Sequence, residues 1–309
     1  MRKSLKYFAN AAATVALCAT LGLAGPAGPA AADTPGIPSV GHDWASAGPY
    51  TPNVSIGLVH TLYYPRQLGA RGEKHPVVIW GNGTGVLPGA YTSLLRHYAS
   101  HGFIVVAANT PASNFAITMR SGIDLIADKA ASPSSVFFGK VDLEHIGAVG
   151  HSQGGSAAIN AAIDDRVDTA VAIQPGPLND VDLIDEPVLY LAGQADAIVW
   201  PAIVRAMYED ADHVPAEYLE LRGATHFGTA INGGDMRGPS TAWLRYWLLD
   251  DPNARTEFFG ASCGYCTDTQ QFSDFDRNDL AMQIPGWSDP ELSKTNGLSV
   301  QIGGIEKLK

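Results

Sequence analysis

Near-continuous apolar runs of five or six residues alternate along this chain with stretches in which apolar residues recur at helical spacing. Pro76-Val77-Val78-Ile79-Trp80, Phe103-Ile104-Val105-Val106-Ala107-Ala108, Thr169-Ala170-Val171-Ala172-Ile173 and Pro187-Val188-Leu189-Tyr190-Leu191-Ala192 carry no polar face. Strands buried on both sides of a parallel sheet read this way. Val141 to Val149 and Ala216 to Leu221 continue the series, and Val54 to Tyr64, closed by Pro65, reads as one or two outer strands paired as a hairpin. Tyr91, Leu94, Leu95 and Tyr98 fall at i, i+3, i+4 and i+7, one face of a helix. Helices are also expected over 117–129, with Ile123 and Ile126 on one face, and over 154–163, 201–210 and 240–249. Strand and helix in alternation imply an α/β class, a mainly parallel central sheet with helices on both faces. Ligands of such sheets bind beyond the carboxyl ends of the strands, so the residues just after each strand are the ones that carry chemistry.

The two ends of the chain break this pattern. Arg2, Lys3 and Lys6, the apolar stretch Ala11 to Leu23 and Ala30-Ala31-Ala32 form the three regions of a secretion signal peptide over 1–32. The apolar run is too short for a membrane anchor and ends at Gly25-Pro26. Cys18 follows Leu17 rather than a small residue, which argues against lipid attachment. Removing 32 of the 309 residues leaves 277, enough for one α/β domain with a sizeable core. The expected organisation is an extended arm over 33–53 rich in Pro, Gly, Ala and Ser, a globular unit over 54–266, and a C-terminal tail over 267–309 of uncertain structure.

Charge and cysteine usage narrow the function. All 31 acidic residues lie beyond the leader, whereas three of the 20 basic ones lie within it, so the mature chain carries a net charge near −14. That balance excludes a nucleic-acid footprint and favours a soluble protein without stable membrane insertion. The mature chain keeps only Cys263 and Cys266, which in a secreted protein are expected to close a tight disulfide loop; without neighbouring histidines they do not read as a zinc site.

The chemistry centres on Gly150-His151-Ser152-Gln153-Gly154-Gly155, placed between the run His145 to Val149 and the small residues Ser156-Ala157-Ala158. Strand, sharp turn and helix in that order fit the nucleophile elbow G-x-S-x-G, in which Gly150 and Gly154 leave room for a strained serine. A serine hydroxyl needs a base and the base an orienting acid, in the chain order Ser, Asp, His for an elbow. Asp196 follows the strand ending at Ala192 and His226 follows the strand ending at Leu221, so Ser152, Asp196 and His226 are the candidate catalytic residues. His60 and His75 precede the elbow, while His213, Asp185, Glu186, Asp164, Asp165 and Asp168 fall before their strands, at the wrong end of the sheet. His151 is expected at the pocket rim. The oxyanion donors are expected to be the backbone amides of Gln153 and of Thr84, the latter in Gly81-Asn82-Gly83-Thr84-Gly85, where Gly83 gives the backbone room. This loop lacks the spacing of a phosphate-binding motif.

With these motifs the chain resembles the α/β-hydrolase family, and within it the secreted bacterial polyester hydrolases and lipases related to cutinases and poly(ethylene terephthalate) hydrolases. The resemblance spans about residues 54–263. It rests on the glycine loop followed sixteen residues after Thr84 by Ser100-His101-Gly102-Phe103, on Gly150 to Gly155, on Asp196 with Ile198 behind it, and on Gly223-Ala224-Thr225-His226. Ala242-Trp243-Leu244, Asp250-Asp251 and Phe258 resemble the group's last helix. It implies an α/β-hydrolase fold and a serine carboxylic-ester hydrolase acting through an acyl-enzyme on polyesters or acyl esters, without metal or cofactor. The chain departs from the group in Thr84, where an aromatic residue is usual, in Gln153, where Met is common, and in the close spacing of its cysteines. About a dozen residues separate Ile173 from Pro187, too few for a cap domain, so the cleft is expected to be open, with Gln174 to Leu178 as one wall. Gly83, Thr84, His151, Gln153, Pro175 and Leu178 are the expected substrate contacts, and a monomer is expected. An amidase or peptidase with the same triad, or a non-catalytic binding protein of this fold, are the alternatives.

Overall fold

Alternation along the central strands decides which side chains go to which face of the sheet. In β3 (His75–Gly81), Val77 and Ile79 join one apolar layer, whereas Val78 and Trp80 join the other. The computed structural model describes residues 36–285, so the expected leader and the last part of the expected tail lie outside the described residues. In chain order the elements are β1 (Pro52–Ile56), β2 (His60–Pro65), β3, α1 (Thr92–Ser100), β4 (Ile104–Ala108), α2 (Ile117–Ala131), β5 (Val141–His151), α3 (Gln153–Ala161), β6 (Thr169–Ile173), β7 (Val188–Gly193), α4 (Pro201–Asp210), β8 (Ala216–Leu221), α5 (Arg237–Leu249), α6 (Pro252–Phe258) and β9 (Phe272–Arg277).

The sheet has nine strands in the order β1-β2-β4-β3-β5-β6-β7-β8-β9. The six from β4 to β8 run parallel, and β2, β1 and β9 are antiparallel at the two edges. Helices α2, α3 and α4 bury Ile123, Ile126, Ile159, Val204 and Tyr208 against one face. Helices α1 and α5 bury Leu94, Tyr98, Trp243 and Leu248 against the other. This is the α/β-hydrolase architecture. Only residues 174–187, with one short 3-10 turn at Val181–Leu183, connect β6 to β7, so no cap domain is inserted between these strands. Among the described residues no helix is long and apolar enough to cross a membrane.

Two segments are more structured than their composition suggests. The arm is docked: Trp44 is buried and its indole donates to Glu257 (3.0 Å), while Arg245 donates to the Pro38 carbonyl (2.7 Å). Arg245 also pairs with Asp251 at 2.7 Å, both side chains being only 1% exposed, and Asp251 accepts from Ser39 (2.8 Å). At the other end, the segment after Cys266 supplies β9, which pairs with β8 from Glu217↔Arg277 to Leu221↔Phe272. The folded unit therefore runs past the expected boundary at 266. Cys263 and Cys266 form a disulfide.

Candidate active site

The turn from β5 into α3 holds Ser152 in a conformation that side-chain-bearing residues avoid, φ 58° and ψ −121°. Strain of this kind costs about 1–3 kcal/mol and persists only where the surroundings enforce it. The Ser152 amide donates to the Ile173 carbonyl (2.9 Å), and its own carbonyl accepts from the amides of Gly155, Ser156 and Gly176. The flanking glycines are compulsory: a Cβ on Gly150 would lie 2.0 Å from the Gly154 oxygen, and one on Gly154 would lie 2.1 Å from the Gly81 oxygen. Backbone thus packs on backbone where β5, α3 and β3 meet.

Asp196 sits in the loop after β7 and His226 in the loop after β8. Asp196 Oδ2 lies 2.7 Å from His226 Nδ1, and His226 Nε2 lies 3.0 Å from Ser152 Oγ. A carboxylate can only accept, so Nδ1 carries the proton and Nε2 presents its lone pair to the serine hydroxyl. Asp196 also accepts from the amides of Ile198 (2.8 Å) and Val199 (2.9 Å) and from Gln174 Nε2 (2.8 Å), four hydrogen bonds in all, the acceptor capacity of an ionised carboxylate. Gln174 was expected only as part of a cleft wall. It is fully buried with φ 46°, accepts from Thr229 Oγ1 (2.9 Å) and donates to the Thr225 carbonyl (3.1 Å), so it ties the acid to the loop carrying His226.

The two expected oxyanion donors lie on either side of this serine in the chain's folding order. Gln153 is the first residue of α3, where amides have no intrahelical acceptor and the helix dipole is positive. Thr84 is exposed on the turn after β3, and among the described residues neither its amide nor that of Gln153 donates to a protein acceptor outside a helix. The turn itself is held by Asn82, whose buried amide donates to the carbonyls of Ala108 (2.6 Å) and Thr110 (3.0 Å).

Several expected substrate contacts are placed otherwise. His151 is 3% exposed, not at the rim, because Tyr91 and the His226 loop enclose it. Burial, with the adjacent His226 as the second cause, lowers its pKa from 6.5 to about 4. Pro175 is buried against Gly155, which removes it from the cleft wall. The Gln153 side chain accepts from the Ser113 amide (2.7 Å), so it anchors the loop after β4. The Gly83 amide is taken by the Tyr91 hydroxyl (3.2 Å). Leu178 is exposed, and it is not alone: Leu87, Ile198, Trp200, Phe227 and Ile231 are each more than half exposed on loops that follow strand ends. Phe227 stands edge-on to the His226 ring at 5.6 Å. Its position next to His226 was the available sequence signal for this apolar margin.

Comparisons with known proteins identify the family to which the chain belongs. The sequence profile of the PET hydrolase-like family matches residues 45–279. Cutinase est2 of Thermobifida alba is 27% identical over 227 residues, covering 69% of this chain and 72% of the relative. A cutinase of Thermobifida fusca (strain YX) is 30% identical over 219 residues, 65% of this chain and 70% of the relative. The bis(hydroxyethyl) terephthalate hydrolase of Streptomyces coelicolor is 29% identical over 265 residues, 78% of this chain and 83% of the relative.

Proposed function

We propose, from the premise that the chain belongs to the PET hydrolase-like family, that it is a secreted serine hydrolase of carboxylic esters whose substrates are polyesters. The observation that carries the reading is the unbroken line from Asp196 through His226 to Ser152, 2.7 and 3.0 Å, on three loops at the carboxyl end of one sheet. In the reaction, Ser152 Oγ attacks the ester carbonyl while His226 Nε2 takes its proton; Asp196 keeps the imidazole in the reactive tautomer and stabilises its charged form. The amides of Thr84 and Gln153 hold the oxyanion, the alcohol leaves with the proton from His226, and water activated by the same histidine cleaves the acyl-enzyme.

The polyester reading is supported by the uncapped strand ends and the exposed apolar margin of Leu87, Leu178, Ile198, Trp200, Phe227 and Ile231, which fits a flat apolar substrate better than a small soluble one. It agrees with relatives named as cutinases and as a bis(hydroxyethyl) terephthalate hydrolase. Secretion is supported by the leader-like sequence over 1–32. We take the catalytic unit to include the docked arm and β9. Ser152→Ala tests the mechanism: it abolishes release of p-nitrophenol from short acyl esters and of soluble products from polyester films while the circular dichroism spectrum is unchanged. Turnover surviving in that variant would sink it.

A further inference from the structure

The residue before the nucleophile is buried, and its hydrogen bonds lead away from the cleft in two directions. His151 Nε2 lies 3.0 Å from the backbone carbonyl of His226, and His151 Nδ1 lies 2.8 Å from the Tyr91 hydroxyl. The Gly83 amide, one residue before Thr84, donates to that same hydroxyl (3.2 Å). A carbonyl only accepts, so Nε2 carries the hydrogen; in a neutral ring Nδ1 is then an acceptor, and Tyr91 gives it its single proton. The direction of every bond is thereby fixed: Gly83 N–H to Tyr91 Oη, Tyr91 O–H to His151 Nδ1, His151 Nε2–H to the His226 carbonyl. A protonated His151 would make Tyr91 Oη accept from both Nδ1 and the Gly83 amide, turn the tyrosine's own proton away from Nδ1, and place a positive charge beside the His226 ring, 4.8 Å away between centroids. The groups that face His151 are Tyr91, His226, Gln174 and, beyond them, the Asp196 carboxylate.

We propose that Tyr91 and His151 act as positioning residues: a neutral, one-way hydrogen-bonded strut that holds the loop bearing Thr84 and the loop bearing His226 at a fixed separation across Ser152. The inference rests on the ester-hydrolase reading given above. The two loops come from β3 and β8, at opposite sides of β5, and meet through backbone only at their far ends, where Ile231 N–H donates to the Ala90 carbonyl (2.7 Å). The Gly83–Thr84 turn is closed by Val86 N–H to the Gly83 carbonyl (3.4 Å) and by Gly85 N–H to the Pro111 carbonyl (2.9 Å). The strut ties that turn to His226 at the end next to Ser152, away from the Ile231–Ala90 bond. The same geometry explains why position 83 is glycine: a Cβ there would lie 2.8 Å from the Tyr91 oxygen. His151 thus shapes the reaction without touching substrate.

The test separates hydrogen bonding from packing. Tyr91→Phe keeps the ring and removes the bond; His151→Met and His151→Gln have similar volume, but only the glutamine offers an N–H to His226 and an oxygen to Tyr91. With p-nitrophenyl butyrate, Tyr91→Phe and His151→Met lower kcat about tenfold, equivalent to about 1.4 kcal/mol, with KM within about twofold, and His151→Gln restores kcat to within about threefold of the parent. Equal losses in the Gln and Met variants, or a Tyr91→Phe enzyme with unchanged kcat, overturn the strut. A second readout does not depend on turnover. In 15N-histidine-labelled Ser152→Ala protein, His151 gives the Nε2–H neutral tautomer at neutral pH and stays neutral to below about pH 5, and Tyr91→Phe in that background raises its titration point. An Nδ1–H tautomer, or titration at the ordinary histidine value, overturns the strut whether or not the protein hydrolyses esters. Turnover in Ser152→Ala, by contrast, overturns the ester-hydrolase mechanism alone.

Discussion

Replacing Glu217 with Gln should make this protein more stable, by an amount that grows with pH. Glu217 lies on β8 opposite Arg277 of β9, is fully buried, and among the described residues neither carboxyl oxygen meets a hydrogen-bond donor. The nearest opposite charge does not rescue it, because Arg277 Nη1 is spent on the carbonyls of Phe258 (3.0 Å) and Gly260 (3.2 Å). Burial therefore raises the Glu217 pKa well above 4.5, so the folded protein holds this proton to higher pH than the unfolded chain does. The sign of the pH dependence follows. A raised folded-state pKa means that the unfolded chain releases its proton first, so stability is complete below about pH 4.5 and falls as pH rises toward the folded-state value. Over that window the loss is about 1.4 kcal/mol per pH unit. Glu217→Gln keeps the shape and abolishes the titration, and Glu217→Leu also removes a buried unpaired polar group worth about 1–3 kcal/mol at every pH. Urea unfolding followed by tryptophan fluorescence at pH 5, 6, 7 and 8 measures both. The gap between parent and Gln variant should widen as pH rises above about 4.5, up to the folded-state value. A gap that stays constant from pH 5 to 7 would refute the argument that Glu217 is neutral in the fold.

Three further outcomes follow from the same structure. Arg245→Met leaves Asp251 as a buried, uncompensated charge and frees the arm at Pro38, so urea denaturation should show a loss of about 3–5 kcal/mol, partly recovered by adding Asp251→Leu. Gln174→Leu deprives Asp196 of one of its four hydrogen bonds and unhooks Thr229, which should lower kcat about tenfold on soluble esters at unchanged KM. Replacing Phe227 and Trp200, 71% and 63% exposed, with Ser should reduce product release from polyester films several-fold while kcat/KM on p-nitrophenyl butyrate stays within about threefold; equal losses on both substrates would refute a polymer-docking role.

What the sequence made legible is what local pattern encodes. β3, β4, β6 and β7 are apolar on both faces because helices cover both, so each stood out as a run, while β5 and β8, which carry Asp142, Glu144, Glu217 and Glu220, continued the alternation; Ser152, Asp196 and His226 followed because their loops start where the strands stop. β9 stayed hidden because it is an edge strand, and Phe-Ser-Asp-Phe-Asp-Arg carries the charges that keep an edge from pairing with another chain. α6 was signalled by Asp251-Pro252, since the Asp251 carboxylate caps the Asn253 amide (3.0 Å) and Pro fits the first helical turn, but seven residues are too few for periodicity to speak. Two of the misplacements, His151 and Gln174, share one cause. A residue close to the nucleophile, in the chain or across the sheet, has two opposite fates, cleft or core, and the sequence around it does not choose between them. His151 is drawn inward by Tyr91, sixty positions earlier, and by the carbonyl of His226, seventy-five later; Gln174 is drawn inward by Asp196 and Thr229. In each case a buried polar group found partners that only the sheet order brings together: β5 lies between β3 and β8, and β6 lies beside β7, with β8 next to it. The machinery of such a site is therefore legible one strand end at a time, whereas the bonds that hold its parts in register belong to the order of the strands.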